Sequence, residues 1–278
     1  MKLPAIHHRC DEGSVPHGGL MFATSPWVRM AFTLAELLVV IAIIGMLTAV
    51  SLPAIRKIAK SDSMNAASRQ LLDDIGYARR LAIRNRTTVY MVFLPHQYYS
   101  LGSAFSGAEQ TRARELLDLQ YTGYAMFARR QAGDQPGQGI PAYLRDWVSL
   151  PEGVFIPVWK YTTGHDHATP FRTVPIPFPE ATSRLIPMPY IAFNHQGQLV
   201  QFDSQGRPLP TAEDVDLPLA RGAVVPPKDP VTQEYLWQAP EIIENPPNNS
   251  INNPNYIHID WMTGRAKIER PELPEARP

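Results

Sequence analysis

The chain has 278 residues, with 26 basic and 26 acidic side chains, so its charge indicates no strongly anionic or cationic partner. Its single cysteine, Cys10, excludes an intramolecular disulfide. The 28 prolines are about twice the average share, and most of them follow residue 135, which argues against a helical C-terminal half.

An apolar run follows a polar N-terminal stretch of 31 residues. It extends from Phe32 to Leu52, 21 residues with one charged side chain, Glu36. As a helix it would be about 31 Å long, which matches a bilayer core. Basic residues flank it on both sides, so the positive-inside rule leaves its orientation open. A signal peptide fits less well, because the run is longer than about 7–15 residues and no A-x-A site follows it. The pattern predicts a membrane-spanning helix.

The start of the apolar run has a specific residue order. Ala31 precedes Phe32-Thr33-Leu34-Ala35-Glu36, and apolar residues follow. This order resembles the processing motif of type IV pilins and type II secretion pseudopilins, with Ala31 where that family usually has glycine. The resemblance implies that residues 1–31 are a leader. It also implies that a membrane-embedded prepilin peptidase cuts between Ala31 and Phe32, and that the new amine of Phe32 is methylated.

The helical pattern continues beyond the apolar run. From Ile55 to about Arg84 the apolar residues recur at spacings of three and four, which predicts an amphipathic helix with one buried stripe. A single helix over 32–85 is therefore expected, with its first half in lipid. Pro53 removes a helical hydrogen bond and Gly45 lacks a side chain, so we expect a kink at these two residues.

The remaining chain predicts a β-rich domain over 86–270 and a disordered tail over 271–278. Thr87 to Leu94 is a β-branched and aromatic run typical of a strand. Segments 78–93, 147–156, 190–200 and 256–269 resemble, in this order, the H-type minor pseudopilin subclass, and the last resembles its closing strand pair. Residues 97–146 and 203–255 have the composition of loop insertions, with a short helix within 107–130.

The predicted fold class is thus α+β, the pilin fold. A long N-terminal helix, with a transmembrane first half and an amphipathic second half, would pack on a C-terminal antiparallel β-sheet domain.

Two polar clusters raise the question of a metal. His165-Asp166-His167 has two histidines on one side of a strand, and Asp214 and Asp216, with the asparagines of 248–255, offer oxygen ligands. Neither has a recognisable full ligand set, so polar loops are the better interpretation. The sequence has no G-x-S-x-G, Walker, G-x-G-x-x-G or H-E-x-x-H motif. We therefore predict no catalytic residue, metal or cofactor, and a membrane-anchored enzyme is the alternative that this argues against.

A basic pair near the C-terminus suggests a second function. Gly264-Arg265-Ala266-Lys267 resembles the Gly-Arg-x-Arg stretch of DNA-uptake minor pilins. On a strand, Arg265 and Lys267 would share one face and could contact phosphates. Glu269 shares that face, and the near-neutral charge weighs against nucleic acid as a partner. DNA binding for uptake is the alternative function.

Glu36 is the residue on which the predicted function depends. A carboxylate inside an apolar bundle is costly unless it is paired. We expect Glu36 to pair with the amine of Phe32, of a neighbouring subunit or of its own chain, and so to set the register of a filament. A polar residue tolerated near the headgroups is the alternative.

The resemblance implies a structural subunit, a pseudopilin or minor pilin, assembled into a type II secretion pseudopilus or a type IV pilus. Its partners would be other subunits, the prepilin peptidase, an inner-membrane assembly platform and membrane lipid. It would cross the inner membrane once, with its C-terminal domain in the periplasm, before joining the filament.

Overall fold

The computed structural model describes residues 33–135, 138–163, 169–203, 206–209, 212–252 and 254–269. For residues 49–62 it describes the backbone only. The chain divides into two compact units, Met1–Leu52 and Pro53–Pro278. The predicted leader (1–31) and tail (271–278) lie outside the described residues.

The described residues form three α-helices and ten strands, with 3-10 turns between some of them. The helices are α1 (Leu34–Asn85), α2 (Gly107–Glu115) and α3 (Asn249–Asn252). The strands are β1 (Val89–Phe93), β2 (Gly123–Ala128), β3 (Ala142–Ser149), β4 (Val154–Phe155), β5 (Arg172–Pro177), β6 (Leu185–Phe193), β7 (Val215–Val225), β8 (Glu241–Glu244), β9 (Asn255–Ile259) and β10 (Ala266–Glu269).

The strands form two antiparallel sheets. The first has the order β3-β2-β1-β6-β5, and the second has the order β10-β9-β7-β4, with β8 paired to β7. In the second sheet, β9 and β10 form the closing pair that segment 256–269 predicts, with His258 opposite Lys267. The long strand β7 pairs in turn with β9, β4 and β8.

The described residues are α+β, but the predicted architecture is wrong. It was a helix with a transmembrane first half packed on an antiparallel β-sheet domain of the pilin fold, whereas the strands divide into two antiparallel sheets. Among the helices of the described residues, none is long and apolar enough to span a bilayer.

Within the Pro53–Pro278 unit, α1 covers a core that both sheets share. One stripe of the helix, from Met64 to Ala82, is buried against strands of each sheet. Its members are Met64, Ala67, Leu71, Ile75, Ala78, Leu81 and Ala82, which are at most 4% exposed. The spacing of three and four residues places them on one side of the helix. A single helical face therefore joins the two sheets into one core.

The opposite face of the first sheet carries a second core. Side chains of β1, β2, β5 and β6 pack there against α2, the 3-10 turn at Tyr98–Ala104 and the ring of Trp237. Because both faces of the sheet are covered, all residues of β1 and β2 are buried instead of alternating between buried and exposed. The expectation of loops is wrong for β2, within 97–146, and for β7 and β8, within 203–255. The short helix expected within 107–130 is confirmed as α2.

The first sheet is curved until its two edge strands are in contact. Tyr143 of β3 donates to the carbonyl of Pro177 in β5 (2.9 Å), and Arg129 donates to the carbonyl of Pro175 (3.1 Å). Proline has no N–H, so β5 cannot donate to a further strand at these two positions. Side-chain hydrogen bonds therefore cover an edge strand that could otherwise pair with a further strand through its backbone.

A buried polar network links α1 to the first sheet. Asp74, which is 7% exposed, accepts a hydrogen bond from the Tyr124 hydroxyl (2.6 Å) and forms an ion pair with Arg145. Gln70 donates to the Tyr124 hydroxyl and to the carbonyl of Ser149, both at 2.9 Å. Burial and the bond to Asp74 raise the pKa of Tyr124, which keeps its hydroxyl as a donor.

Candidate functional site

The start of α1 is a capping box built from Thr33 and Glu36. The Thr33 hydroxyl accepts the backbone N–H of Glu36 (3.2 Å), and Oε2 of Glu36 accepts the backbone N–H of Thr33 (3.3 Å) and its hydroxyl proton (3.2 Å). These reciprocal bonds satisfy two donors that a helix start leaves without partners, and the carboxylate lies at the positive end of the helix dipole. Glu36 therefore has a local role that we did not predict, although the T-x-x-E spacing is its signature.

The role predicted for Glu36 in assembly is distinct from this capping role. Its proposed partner is the amine of Phe32, and both Phe32 and Ala31 lie outside the described residues. The pairing and the cleavage site therefore stay predictions. The capping box engages Oε2 of Glu36, and within the described part of the chain Oε1 makes no hydrogen bond.

The first turns of α1 present an apolar surface on every side. All large apolar side chains between Leu34 and Leu47 are exposed, from 43% at Val40 to 81% at Leu34. We call this the apolar segment (Leu34–Leu47); its exposed members are Leu34, Leu37, Leu38, Val39, Val40, Ile41, Ile43, Ile44, Met46 and Leu47. Successive residues of a helix point in different directions, and a helix that is apolar all round is normally buried. This surface therefore requires an apolar partner.

Gly45 lies within the apolar segment, and its missing side chain leaves open space at the helix surface. A Cβ at Gly45 would have no neighbouring atom within 4 Å, so a second helix could approach the backbone closely there. The Thr48 hydroxyl donates to the carbonyls of Ile44 (2.7 Å) and Gly45 (2.9 Å), a bond that often accompanies a helix bend. The helix is continuous through Pro53, and the kink predicted at Gly45 and Pro53 stays a prediction.

The basic pair of the alternative function does not form one face of a strand. Arg265 precedes β10, whereas Lys267 lies within it. The Lys267 ammonium donates to Glu269 (2.6 Å), and this bond, with Asp214 and Asp260 nearby, raises the pKa of the lysine. Lys267 is thus neutralised by a partner on its own strand, and carboxylates surround it. The geometry gives no support to Arg265 and Lys267 as a phosphate-binding pair.

Asp214 and Asp216 surround a histidine that sequence reasoning did not single out. The Nδ1 of His258 lies 2.8 Å from Oδ1 of Asp216, and its Nε2 lies 3.6 Å from Oδ2 of Asp214. Strand pairing causes this arrangement, because Asp216 and His258 are opposite each other on β7 and β9. In the described ranges no three His, Cys, Asp or Glu side chains are placed to hold a metal ion. The other cluster, His165 to His167, lies outside those ranges.

The asparagine-rich stretch at 248–255 has a structural role. The Asn249 side chain accepts the backbone N–H of Arg221 (2.8 Å) and donates to the carbonyls of Arg221 and Pro246, both at 2.7 Å. Ser250 donates to Glu244 through its hydroxyl (2.6 Å). These bonds connect α3 to β7 and β8, and they occupy the side-chain oxygen that the calcium interpretation required of Asn249.

Lys160 is a buried cation that the sequence did not reveal. It is 2% exposed, its ammonium donates to the carbonyl of Thr169 (2.6 Å), and it lies 5.2 Å from the centre of the Phe171 ring. Burial lowers the pKa of Lys160 to about 8, although Asp216 opposes this effect. Because the side chain is enclosed, its role is to fasten the segment that contains Thr169 to the core.

Comparison of the chain with protein-family models, with curated proteins and with solved structures found no match.

Proposed function

We propose that this chain is a structural subunit of a filament of the type IV pilin or type II secretion pseudopilin kind. The observation that carries the proposal is the apolar segment, exposed on every side and preceded by the residue order Phe32-Thr33-Leu34-Ala35-Glu36. A filament in which these helices pack against one another covers such a surface completely. The proposal does not depend on the chain's having the fold that the resemblance implied.

The energetics of burial agree with assembly through this segment. Each large apolar side chain contributes about 1.5–3 kcal/mol when it is fully buried, and the segment has ten that are at least 43% exposed. Even half of that burial amounts to roughly 10 kcal/mol, which is comparable with the cost of association. Contact with further copies of the same segment would therefore offset the cost of association, and close packing of the helices would supply the remaining stabilisation.

Processing precedes assembly in this proposal. A prepilin peptidase at the inner membrane removes residues 1–31 and exposes the amine of Phe32, which is then methylated. The domain beyond Pro53 faces the periplasm, and an assembly platform adds the subunit to the filament. Mass spectrometry of the mature chain tests this step. We expect an N-terminus of N-methylated Phe32, and a mature chain that keeps residues 1–31 would contradict the proposal.

Two matched substitutions separate the capping role of Glu36 from its assembly role. Glu36→Gln keeps a side chain that can complete a capping box but removes the charge. Thr33→Ala removes the cap but keeps the charge. If Glu36 acts by pairing with an amine, Glu36→Gln abolishes incorporation beside wild-type subunits, and Thr33→Ala reduces it only slightly. Normal incorporation of Glu36→Gln would contradict the assembly role.

Cross-linking between copies tests the packing of the apolar segment. Because the only cysteine, Cys10, lies in the predicted leader, Gly45→Cys places a single thiol on the mature chain. We expect disulfide-linked dimers in cells that assemble the filament. A matched cysteine at Arg207, which is exposed on the other unit, should give none. Equal cross-linking at both positions would contradict specific packing of the segment.

A further inference from the structure

A polar cleft lies where α1 ends. It has a volume of about 280 Å³ and is lined by residues 84–87, at the end of α1 and just after it, and by the turn after β2 at residues 130–134. Three arginines line it, Arg84, Arg86 and Arg130, and they come from two separate parts of the chain. We call this the arginine cleft.

In the described ranges, no arginine of the cleft lies within ion-pairing distance of a carboxylate. Nε of Arg84 donates to the side-chain oxygen of Asn85 (3.2 Å), and Nη2 of Arg130 donates to the backbone carbonyl of Asp134 (3.3 Å). Asp134 also lines the cleft, but its Oδ2 accepts the backbone N–H groups of Gln131 (2.6 Å) and Ile140 (2.9 Å). The hydrogen bonds from these amides lower the pKa of Asp134 and hold its carboxylate in the turn. The charge of Arg130 also contributes to the lowered pKa of Asp134. The cleft therefore combines three positive charges with one restrained negative charge.

The backbone of Arg86 is left-handed, with φ of 50°. It is the first residue after α1, and the N–H of Thr87 returns to the carbonyl of Ala82 (3.2 Å), as in a Schellman motif. Glycine is the usual residue at this position because any side chain destabilises the left-handed conformation. The left-handed backbone therefore disfavours an arginine here relative to glycine.

The helix dipole explains two of the three arginines of the arginine cleft but not the third. Cations near a helix C-terminus are favourable, which applies to Arg84 and Arg86. Arg130 follows β2 and is no part of the helix, yet its guanidinium adds to the same positive cleft, where the three charges repel one another. An anion in the cleft would remove that repulsion.

We propose that the arginine cleft binds an oxyanion of the phosphate class, a function separate from filament assembly. Guanidinium groups present paired N–H donors that match phosphate oxygens, and a dianion requires more than one of them. The lining has no aromatic side chain on which a base could stack, which argues against a single-stranded nucleic acid. A cleft of this volume accommodates one phosphate group, either free or on a lipid.

Calorimetric titration of the full chain in detergent with inorganic phosphate and pyrophosphate tests the proposal. We expect Arg86→Gly to raise the melting temperature and to weaken phosphate binding about tenfold, the usual loss for one charged hydrogen bond. Arg130→Gln should weaken binding similarly, and Asp134→Asn should strengthen it. The control Arg207→Gln removes the same charge outside the cleft, from an arginine paired with Asp203, and should leave the affinity unchanged.

Binding to lipid vesicles distinguishes a lipid headgroup from a free phosphate as the ligand of the cleft. Binding to phosphatidylglycerol vesicles but not to phosphatidylcholine vesicles, reduced by Arg130→Gln, would assign a lipid headgroup. Phosphate binding without vesicle binding would assign a free phosphate. The proposal is overturned if Arg86→Gly changes stability but leaves phosphate affinity within about twofold, or if neither phosphate nor anionic vesicles bind. Tight binding of duplex DNA in the absence of phosphate binding would overturn it in favour of nucleic acid.

Discussion

The network around Asp74 provides the sharpest test of how α1 is held on the first sheet. Asp74→Ala removes the acceptor of the Tyr124 hydroxyl and the anionic partner of Arg145 in one step. The hydroxyl of Tyr124, on a residue that is 1% exposed, would then have no acceptor in the network. Gln70 cannot replace it, because its amide nitrogen donates to the same hydroxyl.

The expected magnitude follows from the burial of each partner. Breaking a buried ion pair costs about 3–5 kcal/mol. The Arg145 side chain is 37% exposed, however, so water can solvate part of its charge and the cost falls to about 2 kcal/mol. An unpaired buried hydroxyl adds about 1 kcal/mol. The free energy of unfolding should therefore fall by about 3 kcal/mol, which corresponds to a melting temperature about 10 °C lower.

A double-mutant cycle in the full chain measures the coupling directly. Tyr124→Phe alone should cost about 1 kcal/mol, since Asp74 keeps Arg145. Asp74→Ala and Tyr124→Phe together should cost less than the sum of the single changes by about 1 kcal/mol. Urea unfolding followed by tryptophan fluorescence gives all four values. A loss below about 0.5 kcal/mol for Asp74→Ala would refute the conclusion that this network fastens the helix to the sheet.

Three further predictions concern other parts of the Pro53–Pro278 unit. Burial lowers the pKa of Lys160 from 10.5 to about 8, so between these values the unfolded chain holds a proton that the folded chain has lost. Relative to Lys160→Met, wild type should gain up to about 2 kcal/mol of stability from pH 8 to 10, and pH-dependent urea unfolding of the two proteins measures this difference, since the buried tyrosines titrate alike in both. Gly102→Ala should lower the melting temperature in thermal unfolding by several degrees, because its Cβ would lie 2.6 Å from the Trp237 ring; an unchanged value would contradict that packing. Asn249→Ala should cost about 2 kcal/mol in urea unfolding, since it leaves the backbone N–H of Arg221 without its acceptor and removes one of the two donors to the Arg221 carbonyl; Asn252→Ala, at an exposed position, is the matched control.

The elements recognised from the sequence are those with local signals. The run at residues 87–94 predicts a strand because β-branched and aromatic residues follow one another, and β1 occupies Val89–Phe93. The segment at 256–269 predicts a strand pair, and β9 and β10 form it. The capping box of Thr33 and Glu36 also has a local signal, a four-residue spacing that is visible without a structure, although we did not predict it.

The features that the sequence did not reveal depend on contacts between residues that are far apart in the chain. Strand β2 contains a glycine and two alanines, a weak strand signal, yet it lies inside a sheet, between β3 and β1, where α2 and the turn at Tyr98–Ala104 cover its outer face. Asp74 and Arg145 are 71 residues apart, and Asp216 and His258 are 42 apart. No short pattern indicates that either pair is in contact.

The sequence by itself determined the apolar, singly charged start of α1 and the residue order that predicts processing there, because both depend on consecutive residues. Only the tertiary structure decided that the strands form two sheets around one helical face, and that Arg130 joins Arg84 and Arg86 around one cleft. Pairing of strands and convergence of turns depend on contacts between residues far apart in the chain, and local propensity carries no information about them.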